Sequence, residues 1–295
     1  MGSERGQGTV EWIGLVLLVS LVLLGLIAAG VRVPGASLAR AIADRIVCAA
    51  ALADGCGDEP ALVAAYGTEI GTLARRHMPM LVFEKGSRAL PVDFRRCRNA
   101  SCSDRAGEGL VHKTDKGLPV TAFVHVIDCR EDEAERAEAG GADCSGERAG
   151  NLYLQFWFYY PDSATLRGVP VAGKKGYHLD DWESAQLRFG PDGRVDQRAS
   201  SHHGYNHFLS DVNWTSDAGI ASRDGWGPET RLLLVSGGSH AGNAIGMPNV
   251  DRYVPGRRVH LIPLEQIAAT TTAQFAVSPP WLKKVWLDPE DRGTD

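Results

Sequence analysis

Two stretches of this chain, residues 120–129 and 152–160, carry bulky apolar side chains at neighbouring positions, so a β-strand through either one offers hydrophobic surface on both of its faces. Strands of that kind belong at the centre of a sheet. Shorter candidate strands, set off by turn residues, recur at 81–84, 184–189, 195–199, 231–236 and 258–263. A succession of short strands with turn signals between them predicts a sandwich or a barrel. The expected fold class is therefore mainly β, a β-sandwich with peripheral helices. Across 295 residues a 44% hydrophobic content is ample for such a core. The net charge of -5, spread over both signs, argues against nucleic acid as a partner, which would call for a basic face. The pairs Arg95-Arg96 and Lys174-Lys175 are too short for a phosphate track and read as solvated surface.

Ahead of the strands lies a different kind of segment. Residues 12–31 hold no charged side chain, and about 20 apolar residues suffice to cross a bilayer. A transmembrane helix is expected over 7–31. The lead-in from Arg5 to Trp12 resembles the leader of type IV prepilins, above all the Flp-type and tight-adherence pseudopilins. There a peptidase cuts after a glycine and a glutamate lies five residues on, a spacing that Gly6 and Glu11 match. The resemblance covers only the first part of the chain. It implies a leader at 1–6, an N-terminus inside, a body outside, and pilin-type assembly proteins as partners. Charge does not orient the span, since Arg5 precedes it and Arg32, Arg40 and Arg45 follow it. A cleaved signal peptide is the alternative, but its apolar core is only about 7–15 residues long.

Helical spacing of Leu38, Ile42, Ile46 and Ala49, followed by a second helical stretch over 60–76, predicts a short neck at 32–79. The sandwich domain is expected over 80–288 and a tail over 289–295. Residues 130–144 are charged, contain Gly140-Gly141, and read as a solvent-facing insertion. A helix is expected at 264–275, stopped by Pro279-Pro280, after which Trp281, Leu282, Val285, Trp286 and Leu287 pack back onto the domain. Six cysteines, Cys48, Cys56, Cys97, Cys102, Cys129 and Cys144, fall into three close pairs along the sequence, although many connectivities remain open. A body outside the cytoplasm favours disulfides over free thiols. Zinc-like Cys-x2-Cys spacing is absent.

The densest chemistry lies at Tyr177-His178-Leu179-Asp180-Asp181-Trp182-Glu183. A strand beginning near Asp181 puts Asp181 and Glu183 on one face and Trp182 on the other, with His178 and Asp180 on the entering loop. Asp162, at the end of the preceding long strand, is placed to meet them. Asp162, His178, Asp181 and Glu183 form a candidate site for a hard divalent cation, Mg2+, Ca2+ or Mn2+. The plainer reading has Asp162 and Asp180 capping turns and Glu183 pairing with a surface cation. Gly237-Gly238-Ser239-His240-Ala241 resembles a nucleophile elbow, but the last position is not glycine and the following Gly- and Pro-rich residues do not start a helix. A glycine-rich turn at the mouth of the sandwich is preferred, with His240 lining the pocket. Of His202, His203 and His207, His202 is placed beside the cation shell and the other two in water.

Phe156 to Asp162, His178 to Glu183 and Ser201 to Tyr205 together resemble the core of the necrosis- and ethylene-inducing peptide-like proteins, secreted β-sandwich cytolysins whose signature reads Gly-His-Arg-His-Asp-Trp-Glu. On that alignment His178, Asp181 and Glu183 fall on cation-binding positions, and Asp162 on the upstream aspartate. Tyr177, Leu179 and Asp180 depart from the signature, so membrane damage does not carry over with it. Residues 80–83, 90–93 and 238–241 are similar to landmarks of the vacuolar protein sorting-associated sixty-two-like proteins.

The resulting expectation is a single-pass cell-membrane protein with an extracytoplasmic sandwich that binds a divalent cation and a sugar or lipid headgroup. Tyr159, Tyr160, Tyr177 and Tyr205 are expected around the ligand and Trp182 in the core. No activated nucleophile is in view, which favours binding over catalysis. A metal-dependent hydrolase with His202 or Asp180 as base, and a pseudopilin-like component of a surface filament, are the alternatives.

Overall fold

The computed structural model describes residues 60–163, 177–201, 204–207, 225–246 and 249–292. The expected leader, span, first neck helix and Cys48/Cys56 pair lie outside the described residues, as do His202 and His203. Among the described residues no helix is long and apolar enough to cross a membrane.

The strand of greatest consequence runs over Leu152–Ser163, and all twelve of its residues are buried. Along the chain the strands are β1 (Met80–Glu84), β2 (Gly109–Leu110), β3 (Thr121–Asp128), β4 (Leu152–Ser163), β5 (His178–Phe189), β6 (Val195–Ser201), β7 (Gly204–Asn206), β8 (Gly227–Pro228), β9 (Leu232–Val235), β10 (Gly242–Asn243), β11 (Val250–Val254) and β12 (His260–Pro263). They form two sheets. One has the order β10-β9-β1-β11-β2; the other has β12-β3-β4-β5-β6-β7, with β8 added beside β6.

β4 is apolar on both faces because it has a layer on each side. Leu154, Phe156, Phe158 and Tyr160 enter the core between the sheets, against Leu81 and Phe83 of β1 and Leu233 and Val235 of β9. Trp157 and Tyr159 point the other way, into a cluster with Val92, Phe94, Trp182, Leu264 and Val285. The C-terminal segment is the lid of that second layer, as its apolar residues predict. Pro161 is tolerated within β4 because pairing with β3 ends at Trp157, so no ladder bond is lost on that side.

The helix α1 (Pro60–His77) follows the expected bounds, broken at Gly67, whose φ of 82° is non-helical. It is not a free-standing neck. Leu62 and Ala74 are buried in the main core, Tyr66 donates to Val124 O at 2.7 Å, and Arg75 donates to Gly256 O and Val259 O. The compact unit accordingly begins at Ala61 rather than at residue 80. Short helices α2 (Ala100–Ser103) and α3 (Ala134–Ala139) follow. The expected helix at 264–275 is cut to α4 (Glu265–Thr270), with Thr271 already extended; the β-branched run Thr270-Thr271-Thr272 has poor helix propensity. At the other end Pro289 and Glu290 are part of the fold rather than a loose tail. Glu290 accepts from Tyr153 and from the Trp226 indole, and Pro289 O accepts from the buried Arg198.

Two disulfides are formed, Cys97–Cys102 and Cys129–Cys144. The second closes the base of the charged insertion. There Arg130 also bridges Asp128 and Glu69, tying the insertion to α1.

Candidate functional site

β4 and β5 run antiparallel with Phe158 opposite Glu183, Tyr160 opposite Asp181 and Asp162 opposite Leu179. Directly opposed residues share a face. Asp162, Asp181 and Glu183 therefore lie on the face that carries Phe158 and Tyr160, at the end of the apolar core. Trp182 is on the reverse face, packed against Phe94, Phe123, Tyr159, Phe275 and Trp281, as expected. β5 starts three residues earlier than predicted, so His178 belongs to the strand, opposite Ser163.

Asp162 and Asp181 are buried. Asp181 Oδ2 lies 2.8 Å from His240 Nδ1, and His240 is stacked on Tyr160 with ring centroids 3.9 Å apart. His178 is looser, its Nε2 3.9 Å from Asp181 Oδ1. Glu183 accepts a 2.5 Å hydrogen bond from Ser200, while Ser200 Oγ accepts from Ser184 N at 2.6 Å. The expected strand at 195–199 stopped just short of this serine. Tyr177 donates to Asp162 at 3.5 Å.

Burial pushes the Glu183 carboxyl well above the usual carboxylate range, and the neighbouring charge of Asp181 pushes it further; the Ser200 hydrogen bond and Lys283 oppose the shift. Burial likewise raises Asp162, with His240 and Tyr177 opposing and Asp181 adding to it. The Tyr160 hydroxyl is driven up by burial and by Glu183 and Asp181. Three acids thus share a poorly solvated corner in which their charges are incompletely offset.

Of three non-glycine residues with positive φ among the described residues, two hold Asp181: Asp180 at 59° immediately before it and His240 at 55° against its carboxylate. Strained backbone of this kind collects at functional positions, because the surroundings must over-determine it to keep it.

Several expected participants stand elsewhere. Asp180 turns to the reverse face, where Tyr159 and Arg98 donate to it. Burial would raise its carboxyl, but hydrogen bonds from Tyr159, Ala276 N and Arg98 outweigh burial and hold it below the usual range. It is not placed to be a base for the site. Tyr159, Tyr160 and Tyr205 are buried rather than ligand-facing, and Tyr205 lies 4.8 Å from the Arg198 guanidinium. His207 is buried with Nε2 2.9 Å from Pro228 O, not turned to water. Ser239 sits in a turn leading to β10, which pairs antiparallel with β9; a strand-to-helix elbow is not formed.

For a hard cation the donor types are suitable, since three carboxylates share one sheet face and two of the acids are held in the protonation-prone state that a bound cation would reverse. Their spacing is not that of a closed shell. Among the described residues no three His, Cys, Asp or Glu side chains are grouped tightly enough to hold a metal ion as they stand.

No family model matches the sequence, and no curated protein matches it. Solved structures similar to the chain are of NLP (necrosis- and ethylene-inducing peptide 1-like) proteins. They include a triple mutant of NLPPya, at 16% identity and a TM-score of 0.39, over 74% of this chain and 87% of that one. NLPPya in complex with mannosamine follows at 14% identity and 0.34, over 74% and 87%. The non-toxic HaNLP3 protein stands at 15% and 0.34, over 72% and 86%.

Proposed function

We propose that the sandwich binds a divalent cation through Asp162, Asp181 and Glu183, with His178 at the rim, and uses it to hold a sugar or lipid headgroup at a cell surface to which the N-terminal segment anchors the chain. The observation that carries this reading is the set of three acids on one sheet face, with burial raising Asp162 above its ordinary value and Glu183 well above the usual carboxylate range. A fold keeps such a costly arrangement where something positive offsets it. When bound, the cation would supply positive charge and open coordination positions to oxygen ligands. Asp181 is braced for this by His240, and Glu183 by Ser200. The rim is accessible, with Leu179 exposed and Tyr177 and His178 half-buried. Of the two candidate bases, Asp180 is engaged on the reverse face, and His202 lies outside the described residues.

Calorimetric titration of the full chain with Ca2+, Mg2+ and Mn2+ tests the site. Saturable binding of at least one ion is expected, lost in the Asp181→Ala/Glu183→Ala variant; binding that survives in that variant sinks the assignment. With the ion bound, mannosamine and glucosamine, ligands in solved NLPPya complexes, serve as first headgroup probes.

A further inference from the structure

Asp180 sits between two candidate ligands, His178 and Asp181, and yet faces away from both. Its carboxylate is buried and takes hydrogen bonds from three separate elements: the Tyr159 hydroxyl of β4 at 2.7 Å, Arg98 Nη2 at 2.8 Å, and the backbone N–H of Ala276 at 2.8 Å. Arg98 is itself fixed. It donates to Gln274 O at 2.7 Å, lies 4.9 Å from the Phe275 ring centre, and rides on the loop closed by Cys97–Cys102. This side chain network grips the chain from behind the sheet at the point where φ is 59°. For an L residue the left-handed region is disfavoured, least so for Asp and Asn, and it is kept where the surroundings over-determine it, as this clamp does. The next residue is Asp181, whose direction of departure from the strand is set by that conformation and is met on the front face by His240.

We infer that Arg98 and Asp180 are positioning residues for the cation site: their ion pair, buried at its Asp180 end, holds the left-handed turn that aims Asp181 at the site. The inference rests on the proposed cation-binding reading. Arg95 provides an internal control. It lies three residues before Arg98, just outside the loop that Cys97–Cys102 closes, pairs with Asp93 rather than Asp180, and is exposed to a similar degree.

The test is titration of the full chain with Mn2+, followed by calorimetry and by loss of the electron paramagnetic signal of free Mn2+. Asp180→Asn keeps a residue that tolerates positive φ and removes the charge. Arg98→Gln removes the other half of the pair. Each is expected to bind Mn2+ about tenfold more weakly, the scale typical when groups supporting metal ligands are removed. The double variant is expected to be no weaker than the weaker single one, because both act through one pair, while Arg95→Gln matches the parent. Thermal unfolding without Mn2+ accompanies each titration, so that affinity is compared only at temperatures where every variant is folded. Arg98→Lys, which keeps the charge and loses the forked contact, substitutes if Arg98→Gln does not fold, and a smaller loss of affinity is expected from it. Parent-like Mn2+ affinity in Asp180→Asn together with Arg98→Gln or Arg98→Lys overturns the positioning role while leaving the site intact. A parent chain that takes up no Mn2+ overturns the cation site and this inference with it.

Discussion

Replacing Glu183 by Gln should make the cation-free protein more stable and the cation-treated protein less responsive. Asp181 and Glu183 are two apart on one strand face, which sets their side chains roughly 7 Å from each other. Two unit charges at that separation repel by about 2 kcal/mol at an effective dielectric near 20. Glutamine removes this repulsion and part of the desolvation cost, while its carbonyl can still accept the hydrogen bond from Ser200. Urea unfolding of the full chain in EDTA at pH 7 should therefore show Glu183→Gln about 2 kcal/mol more stable than the parent. The pH dependence has a definite sign. A carboxyl raised in the folded state stabilises fully below its unfolded value of 4.5, and that contribution is lost as pH climbs toward the folded value. The parent should lose up to about 1.4 kcal/mol per pH unit from this group above that point, and the variant should not. Mn2+ at a hundredfold its dissociation constant should restore about 2.7 kcal/mol to the parent and little to the variant. A cation-free Glu183→Gln that is less stable than the parent, or one that Mn2+ stabilises as fully, would refute the reasoning.

Two further outcomes follow from the structure. Loss of Cys97–Cys102 through a double serine replacement should cost about 2 kcal/mol by loop entropy and loss of Cys129–Cys144 about 3 kcal/mol, read from urea midpoints; the first should also weaken Mn2+ binding through Arg98, and the second should not. Between α4 and β3, burial lifts Glu265 to about 7 and lowers His125 to about 4, and the two face each other at 2.7 Å. The raised carboxyl loses stability as pH rises from 4.5 to about 7, whereas the lowered imidazole loses it as pH falls from 6.5 toward 4. Their slopes cancel between 4.5 and 6.5. His125→Gln should unmask the carboxyl, giving stability that falls with rising pH across that window; a flat profile in the variant would count against the pair.

Whatever depends on local period was legible in the sequence. The alternation along Asp181-Trp182-Glu183 places two acids on one face and the indole on the other, as the structure has them, and the double-faced apolar run of β4 marks the centre of the larger sheet. What was not legible depends on contacts made across long stretches of chain. Asp180 looks like one more acid of the site until Arg98, 82 residues away, and Ala276, 96 residues away, are seen to claim it. His240 reaches Asp181 across 59 residues. Tyr160 and Tyr205 read as surface aromatics because a tyrosine carries no mark of which layer will cover it. β11 was missed because Arg252 interrupts its pattern, and only the fold reveals that its buried guanidinium is satisfied by the carbonyls of Gly107 and Ser87.

These long-range contacts also explain why the acids of the site can be held in so unfavourable a place. β4 is gripped on both faces, by the facing sheet and by the C-terminal layer, and β5 is registered against it over almost its whole length. Neither strand can slip by one residue to turn Asp162, Asp181 and Glu183 toward water without also moving Trp157, Tyr159 and Trp182 out of their layer. Each of those aromatic side chains is worth several kcal/mol when truncated in a core, more than the roughly 2 kcal/mol of repulsion between Asp181 and Glu183. The bulky residues that dictate the sandwich therefore also fix the acids at its end, and relief of their crowding comes from uptake of a proton, or of the cation proposed above, rather than from rearrangement of the sheet.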